Sequence, residues 1–139
     1  MKDIDIVVID GQGGGVGKAI VEAVKQNFPN YFVLGLGTNT VATNSLKKGG
    51  ADAIATGENA IVYNVKKARM IIGPIGICFA NSMYGEISSK MAQAIGESEA
   101  EKYLLPISKC QATIVGIENK TINDYISDLI VLLKKDESN

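Results

Sequence analysis

Five glycines stand close together near the start of the chain, in the segment Asp10–Lys18, which reads DGQGGGVGK. A nucleotide phosphate binds well where free backbone N–H groups point at it and a helix N-terminus supplies a favourable field. Glycine allows the close backbone approach and the positive φ angles that such a turn needs. A β-branched run at residues 4–9 precedes the segment and an amphipathic helical pattern follows it. The sequence therefore predicts a strand–turn–helix unit that receives a nucleotide phosphate.

The spacing of these glycines favours one class of nucleotide site over another. Gly11, Gly15 and Gly17 fit the TGxxxGxG spacing of short-chain dehydrogenases, with Asp10 in place of the Thr. The same segment is similar to the deviant Walker A motif of ParA-like ATPases, but Ala19 stands where a Ser or Thr must hold Mg²⁺. The dehydrogenase-like interpretation is therefore preferred to a P-loop. A tight turn that binds no ligand is the remaining alternative.

The end of the second predicted strand lacks the acid that usually binds the ribose of a dinucleotide. The chain there reads GLGTNT, with Thr38 and Asn39 as the polar groups. The absence of this acid weakens the case for NAD(P) as the ligand, but it does not count against other nucleotides. Asp10 is unexplained, because a carboxylate beside a phosphate repels it. The groups predicted to bind the ligand are Gly11, Gln12, Gly13, Gly14, Gly15, Val16, Gly17, Lys18, Thr38 and Asn39.

Three residues are candidates for catalysis in a chain that contains no histidine, the most common acid–base group at neutral pH. Glu58 and Glu86 each precede a predicted helix, so each is either a helix cap or an acid–base group. Cys110 follows Lys109, whose charge favours the thiolate, although an ordinary loop cysteine is the preferred interpretation.

Tyr63 and Lys67 have the spacing of the catalytic Tyr–Lys pair of short-chain dehydrogenases. They lie well before the position that this family uses, so an exposed helix pair is expected instead.

Composition excludes several function classes. The 14 basic and 15 acidic residues leave a net charge of −1, without the basic surface of a nucleic-acid binder. The two cysteines, Cys78 and Cys110, form no CxxC pair, so no metal site is expected. The longest apolar stretch, residues 71–80, is about half a membrane span. The expectation is a soluble cytoplasmic protein with no nucleic-acid or membrane partner.

Strands alternate with helices along the chain, which predicts a three-layer Rossmann-like α/β fold. We expect a mainly parallel sheet of five or six strands with helices on both faces, in one domain over residues 1–135 with a frayed tail at 136–139. The last strands are predicted at 103–107 and 113–117, the final one antiparallel at an edge in one alternative. Because the carboxyl ends of parallel strands share an edge, the predicted loops at 38–39, 56–59, 74–76 and 108–110 should meet the glycine-rich turn.

Five segments, DGQGGGVGK, LGTN, ATGENA, GPIG and NSMYGE, together resemble a family of small bacterial proteins of unknown function. The resemblance covers nearly the whole chain. It implies a Rossmann-like fold and a bacterial source, and it carries over no activity.

Three functional hypotheses follow from these residues. The first is a sensor or binding module for NAD(P) or an adenine mononucleotide. The second is a small oligomeric enzyme, with an oxidoreductase among the options, whose site lies at a homo-oligomer interface and uses Glu86, Glu58 or Cys110. In the third, a structural or partner-binding protein, the glycines only make a turn.

Overall fold

A computed structural model describes residues 3–107 and 112–138, which form five strands, five α-helices and one short 3₁₀ helix. None of these helices is long and apolar enough to cross a membrane. In chain order the elements are β1 (Ile4–Asp10), α1 (Gly15–Asn27), β2 (Val33–Gly37), α2 (Thr40–Gly49), β3 (Ala53–Thr56), α3 (Glu58–Asn64), β4 (Ala68–Pro74), the 3₁₀ helix (Ile75–Cys78), α4 (Ser89–Glu97), β5 (Glu101–Leu105) and α5 (Ile122–Glu137).

The five strands form one parallel sheet in the order β3-β2-β1-β4-β5, with β1 at its centre. Successive side chains of β1 point to opposite faces of the sheet, and helices cover both faces. Nearly every residue of β1 is therefore buried, which explains its nearly continuous apolar run. Val7 and Ile9 pack with residues of α3 and α4, whereas Ile6 and Val8 pack with residues of α1, α2 and α5. The predicted α/β fold, a parallel sheet with helices on both faces, is confirmed.

The C-terminal third differs from the sequence prediction. The strand predicted at 113–117 is wrong, since 112–114 have no regular structure and 115–116 form a turn. An antiparallel last strand is therefore wrong for the described residues too. β-Branched residues favour a strand only where a neighbouring strand pairs with them, and Val115 is 93% exposed. β5 begins two residues before the predicted 103–107, and α5 extends into the predicted tail at 136–139.

Candidate functional site

The glycine-rich turn, residues 11–14, lies where the strand order of the sheet reverses. From β1 the chain passes to β2 and β3 on one side, and then crosses to β4 on the other side of β1. Ligands of open parallel sheets bind outside the carboxyl ends of the strands at such a point. The segment after the 3₁₀ helix, residues 79–87, which we call the covering segment, reaches the same place. A Cβ atom placed on Gly11 would lie 2.7 Å from Met83 Sδ.

Asp10 closes the inner side of the turn. Its Oδ1 accepts a hydrogen bond from the Gly11 N–H at 2.8 Å, and its Oδ2 accepts one from the Gly17 N–H at 2.6 Å. Burial raises the pKa of this carboxyl, and the nearby charge of Glu86 raises it further. The two hydrogen bonds lower the pKa, but by less than burial raises it. Asp10 is therefore a buried acceptor for the first turn of α1, a role that the sequence did not reveal.

Two glycines of the segment are required by packing. Gly14 has a φ of 73°, and a Cβ placed on it would lie 2.8 Å from the backbone of Ala42 in α2. A Cβ on Gly17 would lie 2.7 Å from the side chain of Leu46 in the same helix. The backbone of Lys18 continues this contact, since its carbonyl oxygen would lie 2.8 Å from a Cβ on Gly49. These glycines allow α1 and α2 to approach closely.

The outer side of the turn is open. Gly13 and Gly15 are exposed, and a Cβ on either would meet no atom within 4 Å. Gly14 precedes α1 without a side-chain cap. Within residues 3–107 and 112–138, no hydrogen bond satisfies the N–H groups of Gly15 and Val16. The N-terminus of α1 thus presents two unused donors beside the exposed Gly13 and Gly15.

Glu86 crosses from the covering segment to this turn and to the end of β2. Its Oε1 accepts hydrogen bonds from the Gln12 N–H at 2.8 Å, the Thr38 hydroxyl at 2.6 Å and the Asn39 amide at 2.8 Å. Partial burial raises the pKa of the carboxyl, but these three bonds outweigh it and hold the pKa below its usual value. Glu86 is therefore an ionised group at neutral pH, held in place by the turn and by the end of β2.

The helix-cap interpretation of Glu86 is wrong. Ser88 is the N-cap of α4, and its hydroxyl accepts a hydrogen bond from the Met91 N–H at 3.2 Å. Glu58 does not cap α3 with its side chain either, because the N-cap is Gly57 and no side-chain cap bond is present. Instead, Glu58 accepts a hydrogen bond from the Ser88 hydroxyl at 2.5 Å.

The covering segment has an unusual backbone. Asn81, Met83 and Tyr84 have φ angles of 69°, 58° and 57°, and Gly85 follows at 88°. Such angles are uncommon for residues other than glycine, and they persist where surrounding contacts hold them, often at ligand sites. Here the Asn81 N–H donates to the Ile87 carbonyl oxygen at 2.6 Å and closes the loop.

Asn39 joins the turn to α2. Its Oδ1 accepts the Ala42 N–H at 2.9 Å, which caps α2, and its Nδ2 donates to the Gln12 carbonyl oxygen at 3.1 Å as well as to Glu86. The structure therefore brings the predicted residues of the turn together with Thr38 and Asn39, and it places Glu86 beside them. Glu58 lies outside this cluster, and Cys110 lies outside the described residues.

Tyr63 and Lys67 form a pair away from the turn. The Lys67 ammonium donates to the Tyr63 hydroxyl at 2.6 Å and lies 4.1 Å from the ring centroid. Lys67 immediately precedes β4, so the pair stands near the amino end of that strand. The turn lies at the carboxyl ends, on the opposite edge of the sheet.

Comparison with known proteins gives a family for the chain. Residues 5–138 match the family model described as a domain of unknown function, DUF3842. The chain belongs to this family. No curated protein and no solved structure gave a significant match. The DUF3842 description names no activity, so the function of the chain has to be argued from the site itself.

Sequence reasoning missed the position of Glu86 in this DUF3842 chain. Thr38 and Asn39 were expected to bind a ligand, and Glu86 was expected either to cap a helix or to act as an acid–base group. The available signal was the absence of an acid at the end of β2, which left two polar residues there without a charged partner. Among the described residues no group of three or more His, Cys, Asp or Glu side chains is placed to hold a metal ion.

Proposed function

We propose that the chain is a nucleotide-binding module in which the open N-terminus of α1 receives the phosphate. The ligand class is NAD(P) or an adenine mononucleotide, and the role is that of a sensor or binding module. The observation that carries the proposal is the pair of unused N–H groups on Gly15 and Val16, next to two glycines whose outer side is open. Their position at the strand-order reversal is where such ligands bind in this class of sheet.

Two carboxylates near the turn work against an anion, so their geometry matters. Asp10 is directed inward and is 5% exposed, with both oxygens accepting backbone N–H groups. Glu86 accepts its three hydrogen bonds at Gln12 and at the end of β2. Neither carboxylate accepts from Gly15 or Val16, and these donors stay available to a phosphate oxygen.

Thermal unfolding with a panel of nucleotides tests the proposal. The panel contains NAD⁺, NADH, NADP⁺, NADPH, FMN, AMP and ATP, each at rising concentration. A ligand at about 100 times its Kd stabilises the folded state by about 2.7 kcal/mol, which raises Tm by several degrees for a domain of this size. The proposal fails if no member of the panel raises Tm.

A charge placed at Gly15 separates phosphate binding from binding elsewhere. Gly15 is the first residue of α1 and has open space around it, so Gly15→Asp suits the helix dipole and leaves the packing intact. The new carboxylate repels a phosphate, and the nucleotide-dependent rise in Tm should disappear. Gly15→Asn is the matched control without charge and should retain most of the rise. Equal stabilisation in both variants would place the ligand elsewhere.

A second candidate is an enzyme whose site is completed by another copy of the chain. Phe79 and Tyr84 are 39% and 85% exposed and belong to the same covering segment as the ionised Glu86. Aromatic side chains of this kind are common in protein interfaces. Glu86 is then the acid–base group, with Glu58 and Cys110 as the other candidates. Light scattering tests this alternative: a strict monomer, with and without nucleotide, contradicts it.

A further inference from the structure

The end of β2 obtains a carboxylate from a distant part of the chain. In dinucleotide-binding sheets, an Asp or Glu about 20 residues after the glycines binds the ribose hydroxyls. This chain has Thr38 and Asn39 at the end of β2 instead. Both donate hydrogen bonds to Glu86, which is 48 residues beyond Thr38 and 47 beyond Asn39. The covering segment after β4 thus supplies the charge that the β2 loop lacks.

We infer that Glu86 is the ribose-binding residue of the proposed site and selects nucleotides with a free 2′-hydroxyl over those with a 2′-phosphate. The inference rests on the proposed function and names the ligand more closely: a ribonucleotide of the NAD or AMP type, as opposed to NADP. It also assigns a task to the covering segment, which places one acid against the turn and the end of β2.

The two oxygens of Glu86 have different surroundings. Oε1 accepts all three hydrogen bonds from Gln12, Thr38 and Asn39. Oε2 accepts none from any residue in 3–107 or 112–138. A carboxylate oxygen has two lone pairs, so Oε2 can accept hydrogen bonds from the adjacent 2′- and 3′-hydroxyls of a ribose. The bound oxygen fixes the orientation of the carboxylate, and the other oxygen is left for the ligand.

The groups around Glu86 explain the expected rejection of a 2′-phosphate. Its three donors are a backbone N–H, a hydroxyl and an amide, and none of them carries a positive charge. Sites that accept a 2′-phosphate place an Arg there. A 2′-phosphate at this place would therefore face a carboxylate whose hydrogen-bond partners within residues 3–107 and 112–138 are all neutral.

Glu86 is also held at a fixed distance from the turn. A Cβ placed on Gly11 would lie 3.0 Å from Glu86 Oε1 and 2.7 Å from Met83 Sδ. Met83 is 4% exposed and has a positive φ, so the covering segment is anchored beside the turn by a buried side chain. An acid oriented in this way before the ligand arrives loses little side-chain entropy on binding.

Isothermal titration with three probes that differ only at the 2′ position tests the inference. The probes are 5′-AMP, 2′-deoxy-5′-AMP and adenosine 2′,5′-bisphosphate. We expect the wild-type chain to bind 5′-AMP about tenfold more tightly than the deoxy compound, because a hydrogen bond to a charged group is lost, and to bind the bisphosphate more weakly still. Glu86→Gln should weaken 5′-AMP binding by about tenfold. It should also reduce the preference for 5′-AMP over the deoxy compound and over the bisphosphate. Glu99→Gln removes a negative charge at an exposed position outside the site. It should leave both the affinity for 5′-AMP and the preference among the three probes unchanged.

Three outcomes contradict the inference in distinguishable ways. If the wild-type chain binds 5′-AMP without discriminating between the probes, the ribose assignment is wrong and the proposed function stands. If Glu86→Gln binds 5′-AMP more tightly than wild type, the carboxylate competes with the nucleotide and does not bind its ribose. If the folded wild-type chain binds none of the probes, the inference is overturned, and the proposed function is overturned with it when no member of the nucleotide panel raises Tm either. Circular dichroism of each variant confirms that the comparison is made between folded proteins.

Discussion

The inner and outer sides of the glycine-rich segment, residues 10–18, both contain glycines, but for different reasons. On the inner side, Gly14 and Gly17 lie against α2, and a Cβ on either would be within 2.8 Å of an α2 atom. On the outer side, Gly13 and Gly15 meet nothing within 4 Å. The inner glycines are explained by helix packing alone. Only the outer pair is unexplained by the fold, and the case for a ligand therefore depends on the outer side.

Gly14→Ala should have the largest effect on stability. The new methyl group would meet the backbone of Ala42, and the φ of 73° is strained for any residue with a Cβ. We expect the free energy of unfolding to fall by about 2–4 kcal/mol, from the left-handed backbone and the overpacking together. Urea denaturation measures this, with Gly15→Ala as the control. A loss below about 0.5 kcal/mol would show that the inner side is not closely packed.

Asp10→Ala should have the next largest effect. The variant leaves the N–H groups of Gly11 and Gly17 without their buried acceptor. Unsatisfied buried donors cost about 1–3 kcal/mol each, and removing the buried carboxyl offsets part of that, so we expect a net loss of about 2 kcal/mol. Asp3→Ala is the control, because Asp3 is exposed. Equal unfolding midpoints for the two variants would contradict a structural role for Asp10.

Glu86→Gln should have a smaller effect that depends on pH. The folded-state pKa of Glu86 is below its ordinary value of 4.5, so the folded state binds this proton more weakly than the unfolded state. The stabilisation is therefore complete above that value and is lost as the pH falls through the lower folded-state pKa. At neutral pH we expect the free energy of unfolding of wild type to exceed that of the variant by about 1 kcal/mol.

Denaturation of wild type and Glu86→Gln from neutral pH down to the acid range measures this difference. It should shrink only once the pH falls below 4.5, the ordinary value of a Glu carboxyl. A difference that stays constant throughout would mean that the ionised carboxylate does not make the three hydrogen bonds described for it.

Gly13→Ala and Gly15→Ala should have the smallest effect on stability. Neither position has a positive φ or a neighbour in the way of a methyl group. Gly15 begins α1, and its replacement by Ala should stabilise the chain by up to about 1 kcal/mol by restricting the unfolded state. The same denaturation experiment measures both variants. A loss of more than 1 kcal/mol in either would remove the distinction between the two sides of the turn.

The sequence predicted the fold through patterns that are local. The apolar run of β1, the glycines after it and the helical period that follows are each visible within a few residues. The start of α5 is equally local, since the hydroxyl of its N-cap, Thr121, accepts a hydrogen bond from the Asp124 N–H three residues on, at 3.1 Å. These features depend on backbone geometry and burial, which residue type and spacing reflect directly.

The position of Glu86 could not be predicted, because it depends on contacts between residues that are far apart in the chain. Thr38 and Glu86 meet only after β4 has crossed to the other side of β1 and the covering segment has turned back through its left-handed residues. Neither step has a sequence signature. The wrong strand at 113–117 has a related cause, since strand formation requires a partner that local pattern does not reveal.

The most direct test of nucleotide binding at this turn follows the backbone amides by ¹H–¹⁵N NMR during titration with 5′-AMP. We expect the largest shifts at the N–H groups of Gly15 and Val16, which should move downfield as they begin to donate to a phosphate oxygen, with Gly13 also affected. The Gly17 amide, already bonded to Asp10, should move much less. Shifts confined to another part of the chain, or none at saturating 5′-AMP, would contradict binding of the 5′-AMP phosphate at the N-terminus of α1.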